Sequence, residues 1–213
     1  MIHLTHSLPE NRKFFLACSG GVDSMAALHW LSQGKRKPYG IIYIHHNTGD
    51  YADSALRFVI QNASKYSDNL IIKKITDVMP PRVSKENWWR QKRYQLFNEA
   101  LETSDKPYPI VLAHNLDDCV EQYIMSTMIR IKPYPLISYY GPSNTIRPFR
   151  TWAKKDIYEY AKRKDLSWVE DPSNKDTRYT RNKIRHEVLP LVASINPGIY
   201  SHVKSLIIED SEK

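Results

Sequence analysis

Cysteine is nearly absent. Two occur in 213 residues, Cys18 and Cys119, and they form no CxxC. Their isolation gives no sequence case for a zinc site, an iron–sulfur cluster or a redox dithiol. Both are expected as small, reduced core residues. Long apolar runs are missing too. No stretch approaches the length of a membrane span, and Met1 to Lys13 has no basic start followed by an apolar stretch. No signal peptide and no membrane partner are therefore expected, and the cytoplasm is the expected location. Glycine is scarce at seven residues, yet Gly20 and Gly21 stand side by side. Acid is in the minority, with 23 Asp and Glu against 31 Lys and Arg. Internal repeats and low-complexity linkers are absent, which leaves one large domain with a basic appendage, long enough to bury a substantial core.

The positive surplus is uneven. Arg147 to His186 holds 12 Lys and Arg against 6 Asp and Glu, which is six of the net +8. Trp152, Tyr158, Tyr160, Trp168 and Tyr179 are interleaved with it. Such a stretch suits a polyanion, because neutralised phosphates release counterions; a solvated basic face accounts for the charge alone equally well.

Short apolar runs alternate with helical patterns. "KFFLACS", "YGIIYIHH", "NLIIKKIT" and "YPIVLAH" read as buried strands. "VDSMAALHWLSQGK", "DYADSALRFVIQNASKY", Ser84 to Leu101 and "LDDCVEQYIMSTMIRI" read as helices, the first ended by Gly34. Strands without polar alternation imply a parallel sheet covered on both faces, and the alternation implies a doubly wound α/β fold. A Pro- and Tyr-rich loop with one short extended piece follows, then a helix, a polar link and a helical tail. The expectation is a mainly parallel five-stranded sheet over residues 1–145 and a basic helical extension over 146–213.

Ligands of such a sheet bind beyond the C-terminal strand ends. "SGGVDS", "HHNTGD" and "AHNLDDCVE" fall there. Gly20 and Gly21 permit positive φ and a close ligand approach. Ser19, Gly20 and Gly21 can aim N–H groups into a concavity at a helix N-terminus, which is an anion site, and Ser24 can donate a hydroxyl. The spacing and lysine of a Walker loop are missing. Asp23 is out of place beside phosphate; it reads as a helix cap or as a group that positions Mg²⁺.

"SGGVDS" after an apolar strand resembles the pyrophosphate (PP) loop of the Rossmann-like ATP pyrophosphatases. Four further stretches resemble tRNA(Ile)-lysidine synthetases: "ENWWRQKRY" at Glu86, Arg90, Arg93 and Tyr94; "LAHNLDDCVEQ" at His114, Asp117, Asp118 and Glu121; "IRPF"; and "WVEDPSNKDTRYTRNKIRHEVLPLV". The resemblance spans roughly residues 13 to 197. It implies adenylation of the oxygen on carbon 2 of the wobble cytidine in a CAU-anticodon tRNA(Ile). Free L-lysine then attacks that carbon to give lysidine, AMP and pyrophosphate. It implies ATP with Mg²⁺ bound through Ala17, Ser19, Gly20, Gly21, Val22, Asp23, Ser24, His46 and His114. Asp23, Arg90, Asp118 and Glu121 are the implied catalytic set. Asp118 and Glu121, three apart on a helix, would hold lysine, and one of them would take a proton from its amine. Asp117 reads instead as a helix cap. Arg90 and Arg93 share a helix face and suit polyphosphate. Arg93, Arg147, Arg178, Arg181, Asn182 and Arg185 are the implied tRNA contacts.

The chain departs from the family at several points. Trp89 stands where a small residue is usual, the Leu-Arg pair after the second strand is missing, and Arg130-Ile131 replaces Arg-Gly. The resemblance ends near the close of the family's catalytic domain, so the expectation is a catalytic domain without the family's further C-terminal domains, whose tRNA grip rests on the basic segment, with a homodimer as a second source. Two alternatives stand beside it: a 2-thiocytidine-type tRNA thiolase, against which the two isolated cysteines count, and a catalytically silent tRNA-binding relic.

Overall fold

The computed structural model describes residues 13–33, 37–104, 108–129 and 136–211. Gly34, Arg130 and Ile131 lie outside them. Four strands follow the expected runs: β1 (Phe15–Ala17), β2 (Gly40–His45), β3 (Leu70–Lys74) and β4 (Ile110–Val111). The expected extended piece proves to be a hairpin, β5 (Tyr140–Gly141) and β6 (Thr145–Ile146). Its turn places Ser143 and Asn144 at φ 58° and 50°, and the Thr145 N–H donates to the Pro142 carbonyl at 3.2 Å. Two successive left-handed residues are what a tight hairpin of right-handed twist needs.

The sheet therefore has six strands rather than five, in the order β3-β2-β1-β4-β6-β5. All neighbours are parallel except β5 against β6. The order reverses between β1 and β4, which makes their C-terminal ends the switch point where a ligand crevice opens.

Alternate side chains of β1 and β2 supply two cores. Leu16, Ile41 and Tyr43 pack with α1 (Val22–Ser32), α2 (Asp50–Ala63) and α5 (Lys154–Arg163) on one face. Phe15, Ile42 and Ile44 pack with α3 (Lys85–Glu102) on the other. A strand buried on both faces has no use for polar alternation, hence its uniform apolar sequence. The edge strand β3 differs, with Ile72 42% exposed. A third core joins α4 (Leu116–Ile129) to Ile184 after the short helix α6 (Thr180–Lys183) and to the C-terminal helices α7 (Leu189–Ile195) and α8 (Ile199–Ser211). Between α6 and α7 lies a π turn, Ile184–Val188, in which the Leu189 N–H reaches back to the Ile184 carbonyl. Pro190 follows at once and cannot donate to the next turn, which favours the wider winding. The boundary expected after residue 145 falls inside β6.

Candidate active site at the sheet switch point

Of the two glycines in the turn after β1, Gly20 takes the positive φ and Gly21 stays extended at φ −72°. Gly20 sits at φ +82°, and a Cβ there would meet Val169 Cγ2 and Val59 Cγ2, each at 3.1 Å. Its carbonyl accepts from the Val169 N–H at 3.0 Å. The "WVEDPSN" segment is thereby laid on the phosphate turn from 149 residues away in sequence. Ser24 donates to the Gly21 carbonyl at 2.9 Å and accepts from the Ser19 N–H at 3.2 Å; Ser19 Oγ accepts from the Gly21 N–H at 3.3 Å. Ala17 ends β1, and Val22 is buried as the first residue of α1, so each offers the rim its backbone.

Asp23 does not cap α1. The N-cap is Gly21, with no side-chain bond. Asp23 instead accepts from Lys154 Nζ at 2.6 Å and from Asn115 Nδ2 at 3.0 Å. Three loops meet at one carboxylate because β1 and β4 are neighbours and α5 packs on α1. Burial raises the carboxyl above the usual carboxylate range, and Lys154 pulls the other way.

At the end of β4, Asn115 and Asp118 bond reciprocally. Asn115 Oδ1 accepts from the Asp118 N–H, and Asp118 Oδ2 accepts from the Asn115 N–H, both at 3.0 Å. This is a capping box with Asp in place of Glu. Asp117, expected as a cap, does cap a helix, though a different one: its Oδ2 accepts from the first N–H of α5, on Lys154, at 2.7 Å. Burial pushes Asp118 up, but His114, Arg181, the Asn115 N–H and Arg185 outweigh it and hold the group below the ordinary range. His114 is pushed down to about 3 by burial, and its Nδ1 is buried without a partner.

Glu121 is fully buried. Arg185 grips it with two bonds, Nε to Oε1 at 2.5 Å and Nη2 to Oε2 at 3.0 Å, and Arg181 Nε lies 3.5 Å from Oε2. Arg185 also stands 3.6 Å from Asp118 Oδ1. The two acids expected to hold an ammonium are thus both faced by the guanidinium of a residue expected on tRNA. Asn182, likewise expected on tRNA, is buried and donates to the Ser173 and Asp176 carbonyls at 2.7 and 3.0 Å, fixing the polar link. Arg178 does lie on the surface, paired with Asp176.

Arg147 is not on the surface. It is 3% exposed and donates to Tyr94 Oη at 2.8 Å and to the Ser138 carbonyl at 3.0 Å. Arg150 is buried as well, so two of the basic cluster's twelve cations face the interior. A guanidinium enters a core only where carbonyls and hydroxyls receive its N–H groups, and the Ile137 and Ser138 carbonyls before β5, with the Tyr94 and Ser211 hydroxyls, provide them. Tyr94 in turn carries Arg90 and Arg93 over its ring, at 5.0 and 5.7 Å from the centroid. Arg90 is exposed; Arg93 Nε is buried without a partner. His46 ends the β2 rim beside Trp89, ring centroids 5.2 Å apart. Burial and Arg93 push the imidazole down to about 4, so it is neutral at physiological pH.

A family model described as a PP-loop domain matches residues 2–192. The chain belongs to the PP-loop domain family. It is 30% identical over 192 residues to the tRNA(Ile)-lysidine synthase of Actinobacillus pleuropneumoniae serotype 3, covering 88% of this chain and 44% of that protein. It is 29% identical over 205 residues to the enzyme of that name from Photobacterium profundum, covering 92% and 46%. The chain spans about half the length of the curated relatives it matches. Its fold is similar to the U34-tRNA thiolase NcsA of Methanococcus maripaludis, solved with its [4Fe-4S] cluster: TM-score 0.67, 15% identity, 95% of this chain and 72% of that one.

Membership in the PP-loop family implies ATP, and the rim fits it. Arg93 Nε and His114 Nδ1 are buried polar atoms without hydrogen-bond partners, and the glycine turn leaves no room for a side chain at Gly20. No cluster of three His, Cys, Asp or Glu able to hold a metal occurs among the described residues. No described helix is long and apolar enough to cross a membrane. Lys154 and Asn115 are the site residues that sequence reasoning missed. Lys154 lies 131 residues from Asp23, in a run of ordinary helix-surface lysines. Asn115 carried a usable signal, because Asn three residues before an acid opens a helix.

Proposed function

We propose that the chain is the catalytic part of a tRNA(Ile)-lysidine synthase. The observation that supports this best is the meeting, at one switch point, of the phosphate turn, the Asp118–Glu121 helix and the "WVEDPSN…RNKIR" segment. A generic nucleotide fold needs only the first of these. The wobble cytidine oxygen attacks the α-phosphorus of ATP; the new P–O bond forms as the bond to pyrophosphate breaks. The lysine ε-amine then attacks carbon 2 and passes a proton to one of the two acids, Asp118 or Glu121; the C–O bond breaks, and AMP leaves carrying that oxygen.

Each step has residues to serve it. Ser19, Gly20, Gly21 and Ser24 would turn their N–H and O–H groups from one another to the departing pyrophosphate. The point charge that a Walker loop carries in its own sequence would come from Lys154, which also neutralises Asp23. Mg²⁺ would arrive with ATP, coordinated chiefly by its phosphates, and Asp23 would help position it. Arg90 and Arg93 supply positive charge as the polyphosphate departs. Asp118, ionised and 19% exposed, would hold an ammonium of lysine. Glu121 reaches the substrate only when Arg185 swings away, and RNA phosphates drawing on Arg181 and Arg185 would release it. Arg178 and the exposed part of the basic segment would meet tRNA, with a second protomer as a further source of grip.

Sulfur transfer fits less well. Cys18 and Cys119 are both buried, and burial drives the Cys119 thiol up to about 12, which disfavours the thiolate. The test is a transfer assay with ATP, Mg²⁺, labelled lysine and unmodified CAU-anticodon tRNA(Ile). Label retained on that tRNA, and absent with methionine tRNA, is the expected result. Adenylated tRNA that accepts no lysine would overturn the assignment in favour of another acceptor. Bound tRNA without ATP consumption would favour a silent binder.

A further inference from the structure

The two neighbours of β1 present different chemistry at the rim. On the β4 side stand Asp23, Lys154, Asp118, Glu121 and Arg185, a dense set of charges. On the β2 side, next to the same phosphate turn, stand His46 and Trp89. The indole of Trp89 meets His46 edge to face at 5.2 Å and 76°, and Trp88 at 4.7 Å and 73°. Trp88 is buried and fixes the pair against the sheet, whereas Trp89 is half-buried. Trp89 and Arg93 are four apart on α3 and share one face, so the ring is continuous with the polyphosphate-facing cations. The motif that this stretch resembles has a small residue at position 89, and such a motif does not need an indole there.

We propose that Trp89, braced by His46, is the surface against which the purine ring of ATP packs. This rests on reading the glycine turn as the ATP phosphate site. With phosphates at the N-terminus of α1, the base must extend over a neighbouring strand end. The β4 end offers charges that a neutral heteroaromatic ring cannot satisfy. The β2 end also carries charge, in Arg93 and the His45–Asp53 pair, but it adds the planar surface of Trp89 against His46, and stacking on an aromatic side chain serves any planar base.

The test compares wild type, Trp89→Ala and Trp89→Phe for binding of ATP and of inorganic pyrophosphate by calorimetry, with tRNA affinity measured in parallel. Pyrophosphate has no base and reports on the phosphate turn alone. The expected result is about a tenfold loss of ATP affinity in Trp89→Ala, the effect of removing one base stack, with pyrophosphate and tRNA binding unchanged. In Trp89→Phe, ATP affinity is retained within about threefold, and ATP quenches tryptophan emission less than in wild type. ATP affinity unchanged in Trp89→Ala while pyrophosphate still binds overturns the proposal and leaves the ATP site standing. Loss of tRNA binding alone overturns it in favour of an RNA base. Failure of wild type to bind either ATP or pyrophosphate overturns both readings. Should Trp89→Ala fail to fold, a quench undiminished in Trp89→Phe overturns the proposal by itself.

Discussion

Removing Arg185 and removing the charge of Glu121 are unequal perturbations, because only one partner of the pair is sealed from water. Glu121 is 0% exposed, whereas the Arg185 side chain is 34% exposed. Arg185→Met strips a buried carboxylate of two charge-assisted bonds and leaves Arg181 Nε at 3.5 Å as its remaining partner. Breaking a buried pair from the exposed side costs about 3 kcal/mol, at the low end of the usual range because Arg181 remains and Glu121 can take up a proton. Glu121→Gln leaves an amide that still accepts from Arg185, and the guanidinium keeps its water, so about 1 kcal/mol is lost. For a chain of this size the two correspond to falls in melting temperature of about 6–12 °C and about 2–4 °C. Urea denaturation with the slope held in common measures both. The pH dependence follows from the sign of the shift. Burial raises Glu121 above its ordinary range despite Arg185, so the folded state holds a proton longer than the unfolded one, and this group's contribution falls as pH rises. Without the Arg185 charge the carboxyl rises further, so the deficit of Arg185→Met widens as pH rises above the ordinary carboxylate range. A Glu121→Gln loss larger than that of Arg185→Met, or a deficit that shrinks toward neutral pH, would refute the assignment of Glu121 as the desolvated partner.

Gly20→Ala should destabilise by about 1–3 kcal/mol in thermal melts, since φ +82° and the 3.1 Å approaches of Val169 and Val59 oppose any side chain. Lys154→Met should lower kcat/KM for ATP by about 10- to 100-fold, the effect of losing a charged hydrogen bond. Lys154→Arg should recover part of that loss, and equal activity of wild type and Lys154→Met would remove Lys154 from the site. Asp118 is held low, so its stabilisation is present above the ordinary carboxylate range and is lost as pH falls through it. Asp118→Asn should therefore flatten the acid limb of a stability–pH profile. His46, pushed down to about 4, should show no imidazole titration by NMR between about pH 5 and 8.

The doubly wound fold was legible because its signals are local. Phe14 to Ala17 and Gly40 to Ile44 carry no charged residue and no polar alternation, and that pattern survives only where helices cover both faces of a strand. The glycine turn was legible for the same reason, as the conformation of Gly20 is a property of its own backbone. The hairpin at Tyr140 to Ile146 was not, because two-residue strands have no periodicity to detect. The positions of Asp23, Glu121 and Arg147 were hidden for a different reason. Each carries a charge, and a charge settles where a partner of opposite sign or a ring of acceptors happens to be folded. Lys154 finds Asp23 across 131 residues, Arg185 finds Glu121 across 64, and Arg147 finds Tyr94 across 53. Sequence alone determined which residue types reach the rim of the sheet, through strand ends and helix starts. Only the tertiary structure decided which of those charges face a ligand and which are spent on one another, because pairing energy depends on distance in space and on exclusion of water, and neither is written in spacing along the chain.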